Sequence, residues 1–233
     1  MRRRRFLTGT AAAGVSARLG LALGAGAVGR LTPPAQGKIP VAFVLGPHAT
    51  MIDFAGPWEV FQDVMAEERG ASHDDQMPFQ LFTVAEKTET LRASGGMQVV
   101  PDYTVDNAPQ PRVIVIPAHQ GSPKLVAWVQ KASVRADMTM SVCTGAFHLA
   151  KTGLLKGKTA TTHHEFLDRF AKQFPDVQVK RGVRFVEHER VATAAGLSSG
   201  IDLALRVVER YFGREAAQRT ATYMEYESRG WMV

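Results

Sequence analysis

From Ile39 onward, short apolar runs alternate with stretches whose apolar residues recur at helical spacing, and this alternation leaves the chain few architectures. Ile39 to Leu45, Phe79 to Ala85, Arg112 to Ile116 and Met138 to Val142 have the composition of buried strands, the third ending at Pro117. Phe54 to Glu68, with Trp58, Phe61 and Met65 on one face, predicts a helix, as do Pro123 to Lys131 and Cys143 to Lys151. Gly95-Gly96 breaks a hairpin. Beyond Gly157 the pattern predicts a strand over Thr159 to Thr162 and a helix over Glu165 to Phe174. Two strands follow, Val183 to Val186 and Arg190 to Ala194, then helices over Ile201 to Phe212 and from Arg214 onward. The expectation is an α/β fold: one domain with a doubly wound, mostly parallel sheet and helices on both faces. No repeat, low-complexity block or internal linker interrupts it.

The first 35 residues do not fit that pattern. Arg2 to Arg5, Phe6 and Leu7 precede an Ala/Gly-rich stretch from Thr8 to Gly29, which resembles a twin-arginine export signal. Arg18 leaves uncharged runs of 12 residues (Phe6 to Ala17) and 11 residues (Leu19 to Gly29), each short of the ~20 needed to cross a bilayer. Residues 1–35 are therefore expected to be a leader rather than a membrane span, with the domain over 36–233. Ala25-Gly26-Ala27 is the favoured cleavage site and Ala35 a second. The chain carries 28 basic and 22 acidic residues, but six of the arginines lie in the leader. The body is electrically neutral, without the basic footprint that nucleic acid requires, and the mature protein is expected in the periplasm or otherwise exported.

Export sharpens the question raised by Cys143, the chain's single cysteine. In an oxidising compartment a cysteine without an intrachain partner is a thiol to flag, although a lone cysteine is most often a small buried hydrophobe. Cys143 falls where a predicted strand hands over to a predicted helix. A side chain on such a turn is exposed at the carboxyl edge of the sheet, and the helix dipole and free N–H groups there favour thiolate. The next backbone N–H can face an oxyanion, and Gly145 suits a crowded turn. The thiol is expected to titrate below the ~8.5 of a free cysteine.

Three segments carry a resemblance. SVCTGAFHLAKTGLLKGKTATTHHEF, DFAGPWEVF (53–61) and TAAGLSSGIDLALRVVE (193–209) are similar, in that order, to motifs of the ThiJ/PfpI superfamily, in its isonitrile hydratase-like branch, over roughly residues 39–225. The resemblance implies a flavodoxin-like, glutamine amidotransferase-like domain acting on a small molecule with no metal or organic cofactor. It implies Cys143 as nucleophile, Thr144 as the residue whose N–H and hydroxyl meet developing charge, and Asp53 as the acid beside the thiol. Where many relatives have Pro-Gly-Gly, this chain has Pro117-Ala118-His119, so Ala118, His119 and Gly145 stand at the expected substrate and oxyanion side. His164 replaces a usual Trp. A homodimer is implied by resemblance alone, with Tyr226 and Trp231 serving either an interface or the core. The superfamily domain also occurs fused to helix-turn-helix regulators, a module this chain is expected to lack.

Each of these residues has a plainer reading. Asp53 can simply cap the following helix. His163 is either the base of a cysteine–histidine pair or a residue orienting its loop; adjacent His163, His164 and Glu165 lack the spacing of a metal site. Gly196, Ser198 and Gly200 form the turn before a helix that has Asp202 in its first turn, rather than a phosphate cradle. The chemistry implied is addition of water to a small carbon electrophile, with isonitrile to formamide the leading example. Cys143 attacks and Asp53, its pKa raised by repulsion from the thiolate, moves the proton. Glyoxalase, deglycase or peptidase activity, and a non-enzymatic binding or redox-sensing role through cysteine oxidation, are the alternatives.

Overall fold

The computed structural model describes residues 28–233. The basic start of the leader and the Ala25-Gly26-Ala27 site lie outside the described residues.

Seven strands form one sheet: β1 (Ile39–Val44), β2 (Phe79–Ala85), β3 (Tyr103–Thr104), β4 (Val113–Ile116), β5 (Met138–Ser141), β6 (Phe185–Glu187) and β7 (Val191–Ala194), in the spatial order β6-β7-β5-β4-β1-β2-β3. Every neighbouring pair is parallel except β6 and β7. Among the described residues six helices of seven residues or more accompany it, besides a single turn at His73–Gln76: α1 (Met51–Gln62), α2 (Pro123–Ser133), α3 (Gly145–Lys151), α4 (Leu167–Gln173), α5 (Ser199–Phe212) and α6 (Arg214–Tyr223). This is the expected doubly wound architecture.

Period-two alternation distributes the strands between two cores. Val41, Phe43, Val113, Val115, Met138 and Met140 join Phe61 of α1 and Leu203 and Val207 of α5 on one face. Val44, Ile114 and Ile116 join Leu125 and Val129 of α2, Leu149 of α3 and Phe170 of α4 on the other. A strand buried on both faces has no polar side, which is why Val113 to Ile116 is an unbroken apolar run.

Several boundaries differ from expectation, for physical reasons. The first helix starts at Met51 and stops at Gln62, so Asp53 sits inside its first turn instead of preceding it. Thr159–Ala160 pairs with Gln178–Val179 in a separate two-stranded piece outside the main sheet. Tyr103–Thr104 is an unanticipated edge strand, two residues long and too short to show a period. Gly95-Gly96 does turn a hairpin, Leu91–Arg92 against Gln98–Val99. Trp231 is fully buried in the core rather than offered to an interface, while Tyr226 packs on its margin. Among the described residues no helix is long and apolar enough to cross a membrane.

The segment ahead of β1 is tied to the domain at five residues. Leu31 packs against the core and donates its N–H to the Arg210 carbonyl at 2.8 Å. Buried Arg210 donates Nε–H to the Gly29 carbonyl at 3.0 Å. Arg112 bonds the Thr32 carbonyl, and Arg69 bonds those of Pro34 and Gly37. Cleavage at Ala27 leaves this strap in place; cleavage at Ala35 strips all of it but the Gly37 contact and takes the Gly29 carbonyl, one of its acceptors, from Arg210. Loss of the Leu31 contact and these hydrogen bonds should cost roughly 2 kcal/mol. A chain beginning at residue 36 should then melt about 5 °C below one beginning at residue 28, as read by thermal circular dichroism. Equal melting temperatures would refute the strap.

Candidate active site

The β5–α3 connection is a strained elbow. Cys143 has φ 57°, a left-handed conformation that a non-glycine residue holds only when its surroundings impose it. Those surroundings are a hydrogen bond from the Cys143 N–H to the Ala195 carbonyl at 2.7 Å and one from the Thr162 hydroxyl to the Cys143 carbonyl at 2.8 Å. Two residues on, a Cβ on Gly145 would lie 2.1 Å from the Ile116 carbonyl oxygen, so no other residue fits there. The thiol thereby stands at the carboxyl edge of the sheet, where parallel α/β folds place their ligands.

Asp53 approaches from the first turn of α1 and is fully buried. Its Oδ2 accepts the Ala118 N–H at 3.1 Å, while Oδ1 has no hydrogen-bond partner among the described residues. Its own N–H goes to the Thr50 carbonyl, and Thr50 holds the N-cap position. The capping reading therefore fails: the carboxylate leaves its helix for the β4 loop. Burial pushes its pKa to about 7, and the Ala118 N–H and the Cys143 thiol pull it down against that. The elevation was expected, but its chief cause is loss of water, not repulsion by a thiolate.

The Cys143 thiol moves opposite to expectation. Burial first, then the charge of Asp53, push it up to about 11, while the Thr144 N–H, the Leu197 N–H and the Thr144 hydroxyl oppose the rise. The helix terminus does not prevail because α3 has only seven residues and a largely buried thiolate loses its hydration. Asp53 and Cys143 face each other and titrate as a pair. At neutral pH the resting state is a thiol beside a partly protonated carboxyl, and a thiolate forms when Asp53 accepts its proton.

The remaining expected residues separate. Thr144 flanks the sulfur as anticipated. Ala118 serves Asp53, so its N–H is not free for an oxyanion. Gly145 supplies room and no donor, its N–H being tied to the Val142 carbonyl at 2.9 Å. His119 turns its ring away to bond the Pro117 carbonyl and stack on His148, leaving its backbone N–H without a partner among the described residues. His163 accepts the Glu165 N–H through Nδ1, packs on Gly196 and makes no hydrogen bond to Cys143. It orients its loop and does not form the cysteine–histidine pair. His164 is exposed.

Gly196 and Ser198 belong to the turn ahead of α5, whose first turn holds buried Asp202. Asp202 accepts from Arg184 at 2.5 Å and from the Ser228 hydroxyl at 3.0 Å. Arg184 and Tyr226 also bond Ser198, fastening the loop that presents Leu197 to the sulfur. Leu197 has φ 52° and is itself exposed. With exposed Met51 and Ile52 beside Asp53, it gives the approach an apolar character. Thr162 and Leu197 lie within the quoted motifs, but nothing in the residue types marks a hydroxyl aimed at a carbonyl or a backbone N–H aimed at sulfur. A concavity of about 890 Å³ under residues 30–38 contains neither Cys143 nor Asp53. Among the described residues no group of three or more His, Cys, Asp or Glu side chains is gathered for a metal ion.

Residues 40–210 match the family model described as DJ-1/PfpI family. Isonitrile hydratase of Pseudomonas putida is 29% identical over 192 residues, covering 80% of this chain and 78% of that protein. The HTH-type transcriptional regulator GbdR of Pseudomonas aeruginosa is 26% identical over 83% of this chain, which spans only 53% of the regulator's length. Among solved structures, a ThiJ/PfpI family protein from Pseudomonas syringae superposes with TM-score 0.71 at 24% identity, over 84% of this chain and 78% of that one. Drosophila melanogaster DJ-1beta gives 0.68 at 17% identity, over 82% and 100%. At these identities the superpositions speak for the fold.

The Asp53 shift has a consequence for stability. A carboxyl that titrates at about 7 when folded and near 3.9 when unfolded keeps its proton longer in the native state. Native stability should therefore fall as pH rises from about 4 to about 7, and the full cost, on the order of 2–4 kcal/mol, is present above that window. Asp53→Asn should melt higher than the wild type at pH 8, with the gap closing towards pH 4. Parallel melting curves across that range would remove the burial argument. Asp53→Asn should also speed iodoacetamide alkylation of Cys143 several-fold at pH 8, read by intact mass, because a negative neighbour is gone.

Proposed function

Because the chain belongs to the DJ-1/PfpI family, we propose that it is an isonitrile hydratase-like cysteine enzyme, a hydro-lyase adding water to a small carbon electrophile. The observation that carries this reading is the closed pair of groups: a thiol on a strained elbow facing a buried carboxyl whose pKa is about 7. The similarity to an isonitrile hydratase across most of both chains supports it. An acid–base group with a pKa near the working pH transfers protons most effectively in both directions.

The chemistry follows from that pairing. The terminal carbon of an isonitrile is a soft electrophile and sulfur a soft nucleophile. As Cys143 Sγ bonds to that carbon, Asp53 takes the thiol proton and passes it to the same carbon, giving a thioimidate, R–N=CH–S–Cys. Asp53, again a carboxylate, removes a proton from water as its oxygen attacks the carbon and passes that proton to the nitrogen. Collapse of the tetrahedral adduct expels sulfur, which takes up the proton lost by the adduct's hydroxyl, and releases the formamide R–NH–CHO. A resting thiol with a high pKa suits this sequence, since the nucleophile is unmasked only as the carboxylate receives its proton. The Thr144 N–H and hydroxyl and the Leu197 N–H stabilise the anionic sulfur at both ends of the cycle.

A non-enzymatic ligand-binding or redox-sensing role is the second reading, favoured by the similarity to a transcriptional regulator. Export through the twin-arginine route and a homodimer accompany the first reading, on the basis of the leader's composition and of the superfamily resemblance. Conversion of an alkyl isonitrile to its formamide, followed by loss of infrared absorption from the N≡C group, tests the reaction. Cys143→Ala should abolish turnover with little change in melting temperature, and Asp53→Asn should lower kcat at least 100-fold while leaving Cys143 alkylatable. Turnover that survives either substitution refutes this mechanism. If peroxide converts Cys143 to sulfenic acid while no electrophile is turned over, the sensing role stands in its place.

A further inference from the structure

We propose that His148 is a positioning residue for Asp53, holding the Pro117–Gly121 loop through His119 so that the Ala118 N–H stays on the carboxylate. The inference deepens the acid–base assignment made for Asp53 above, and its test needs no substrate.

Two imidazoles clamp this loop, and carbonyl partners define their protonation. His119 Nδ1 lies 3.0 Å from the Pro117 carbonyl oxygen and His148 Nε2 lies 2.9 Å from the His119 carbonyl oxygen. A carbonyl only accepts, so His119 carries its proton on Nδ1 and His148 on Nε2. The rings stack with centroids 4.4 Å apart and planes 16° from parallel. Two glycines make room for them. A Cβ on Gly121 would lie 2.2 Å from His148 Cε1, and one on Gly46 would lie 2.7 Å from His119 Cδ2. The loop is also fastened from its other side, the Gln120 N–H donating to the Pro47 carbonyl and the Thr50 N–H to the Ala118 carbonyl, both at 2.8 Å. Ala118 is thus held between α1 and the imidazole pair, and its N–H is the one hydrogen bond that Asp53 Oδ2 receives.

The clamp works with a neutral His148. Its Nδ1 is buried without a hydrogen-bond partner among the described residues, so a second ring proton would have no acceptor. The cation Lys151 one turn along α3 opposes a positive ring, whereas the His119 carbonyl bonded by Nε2 favours one, and burial outweighs it; the His119 ring stacked on it is itself neutral. The walls contributed by β1, β4 and α2 are Val44, Ile116, Leu125, Val126 and Val129, all uncharged. Burial holds both imidazoles below the usual histidine range, His119 at about 3.

The readout is the pH dependence of Cys143 alkylation, a clean probe because the chain has one cysteine. Thiolate, and with it the rate, rises with pH until Asp53 ionises, then levels off near pH 7, where the carboxylate begins to oppose the thiolate. In His148→Leu the Ala118 N–H is no longer held, and losing a hydrogen bond to a charged acceptor should move that break upward by roughly one pH unit. His148→Gln, whose Nε2 still donates and cannot titrate, should bring it back towards the wild-type position. A break that stays in place in a folded His148→Leu protein, or moves equally in both variants, overturns the proposal. If His148→Leu does not fold, ¹⁵N spectra of the histidine rings in the unaltered protein decide. A neutral His148 protonated on Nε2 at pH 7 supports the clamp, whereas a charged ring or the Nδ1–H form overturns it. Failure to find a substrate would bear on the reaction and leave this result intact.

Discussion

The turn from β5 into α3 is the constraint to which the rest of the site answers. Cys143 is held at a positive φ because its N–H and carbonyl are both engaged, by Ala195 and Thr162. The helix that follows can start at once only because Gly145 allows the backbone to pass against Ile116. An added methyl at Gly145 would separate β4 from α3, and the Pro117–Gly121 loop that departs from β4 would move with it. The same close approach thus sets both the nucleophile and the strand end from which Ala118 reaches Asp53.

Burial then determines the chemistry. Two ionisable groups share a site with little water, and each pKa is raised mainly by that exclusion. A buried carboxyl with one unpartnered oxygen is a liability for stability, since desolvation of a charge is costly unless it is neutralised or paired. Its value lies in proton transfer near neutrality. The site combines a strained backbone, an underpartnered acid and a thiol that is unreactive until its neighbour accepts a proton. Stability and reactivity oppose each other at these residues, and the surrounding contacts supply the difference.

Those contacts come from distant parts of the chain. Asp202, Arg184, Ser228 and Tyr226 fasten the loop carrying Leu197 from the side of α5 and the C-terminal segment. His119 and His148 fasten the β4 loop from the side of α3. Buried Trp231 closes the core beneath α6. At the opposite end of the chain, the strap of residues 29–37 gives Arg210 an acceptor.

What the sequence alone determined is whatever depends on local periodicity and on residue types at fixed spacing. Burial on both faces leaves an unbroken apolar strand, a helix leaves a 3.6-residue stripe, and a doubly wound sheet follows from their alternation. The strand-to-helix junction at Cys143 was legible in the apolar pattern, whereas the pairing of Asp53 with it came only from the resemblance of the DFAGPWEVF and CTGAF segments to superfamily motifs. Tyr103–Thr104 escaped because two residues are too few to show a period, and the strand anticipated at Thr159 proved shorter than expected and pairs with Gln178–Val179 outside the main sheet. The direction of the thiol's pKa also escaped. A helix terminus is visible in a sequence, but the exclusion of water that outweighs it depends on what packs over the turn. His163 and His119 show the same limit in another form: a histidine's residue type announces possible chemistry, whereas its role depends on which carbonyl or N–H its ring meets. His163 meets the Glu165 N–H and His119 the Pro117 carbonyl. His148 had no signal in the sequence, because its contact with the β4 loop exists only once α3 lies against it. Tertiary structure decided these points because burial and hydrogen-bond partnership are properties of surroundings that separate segments assemble.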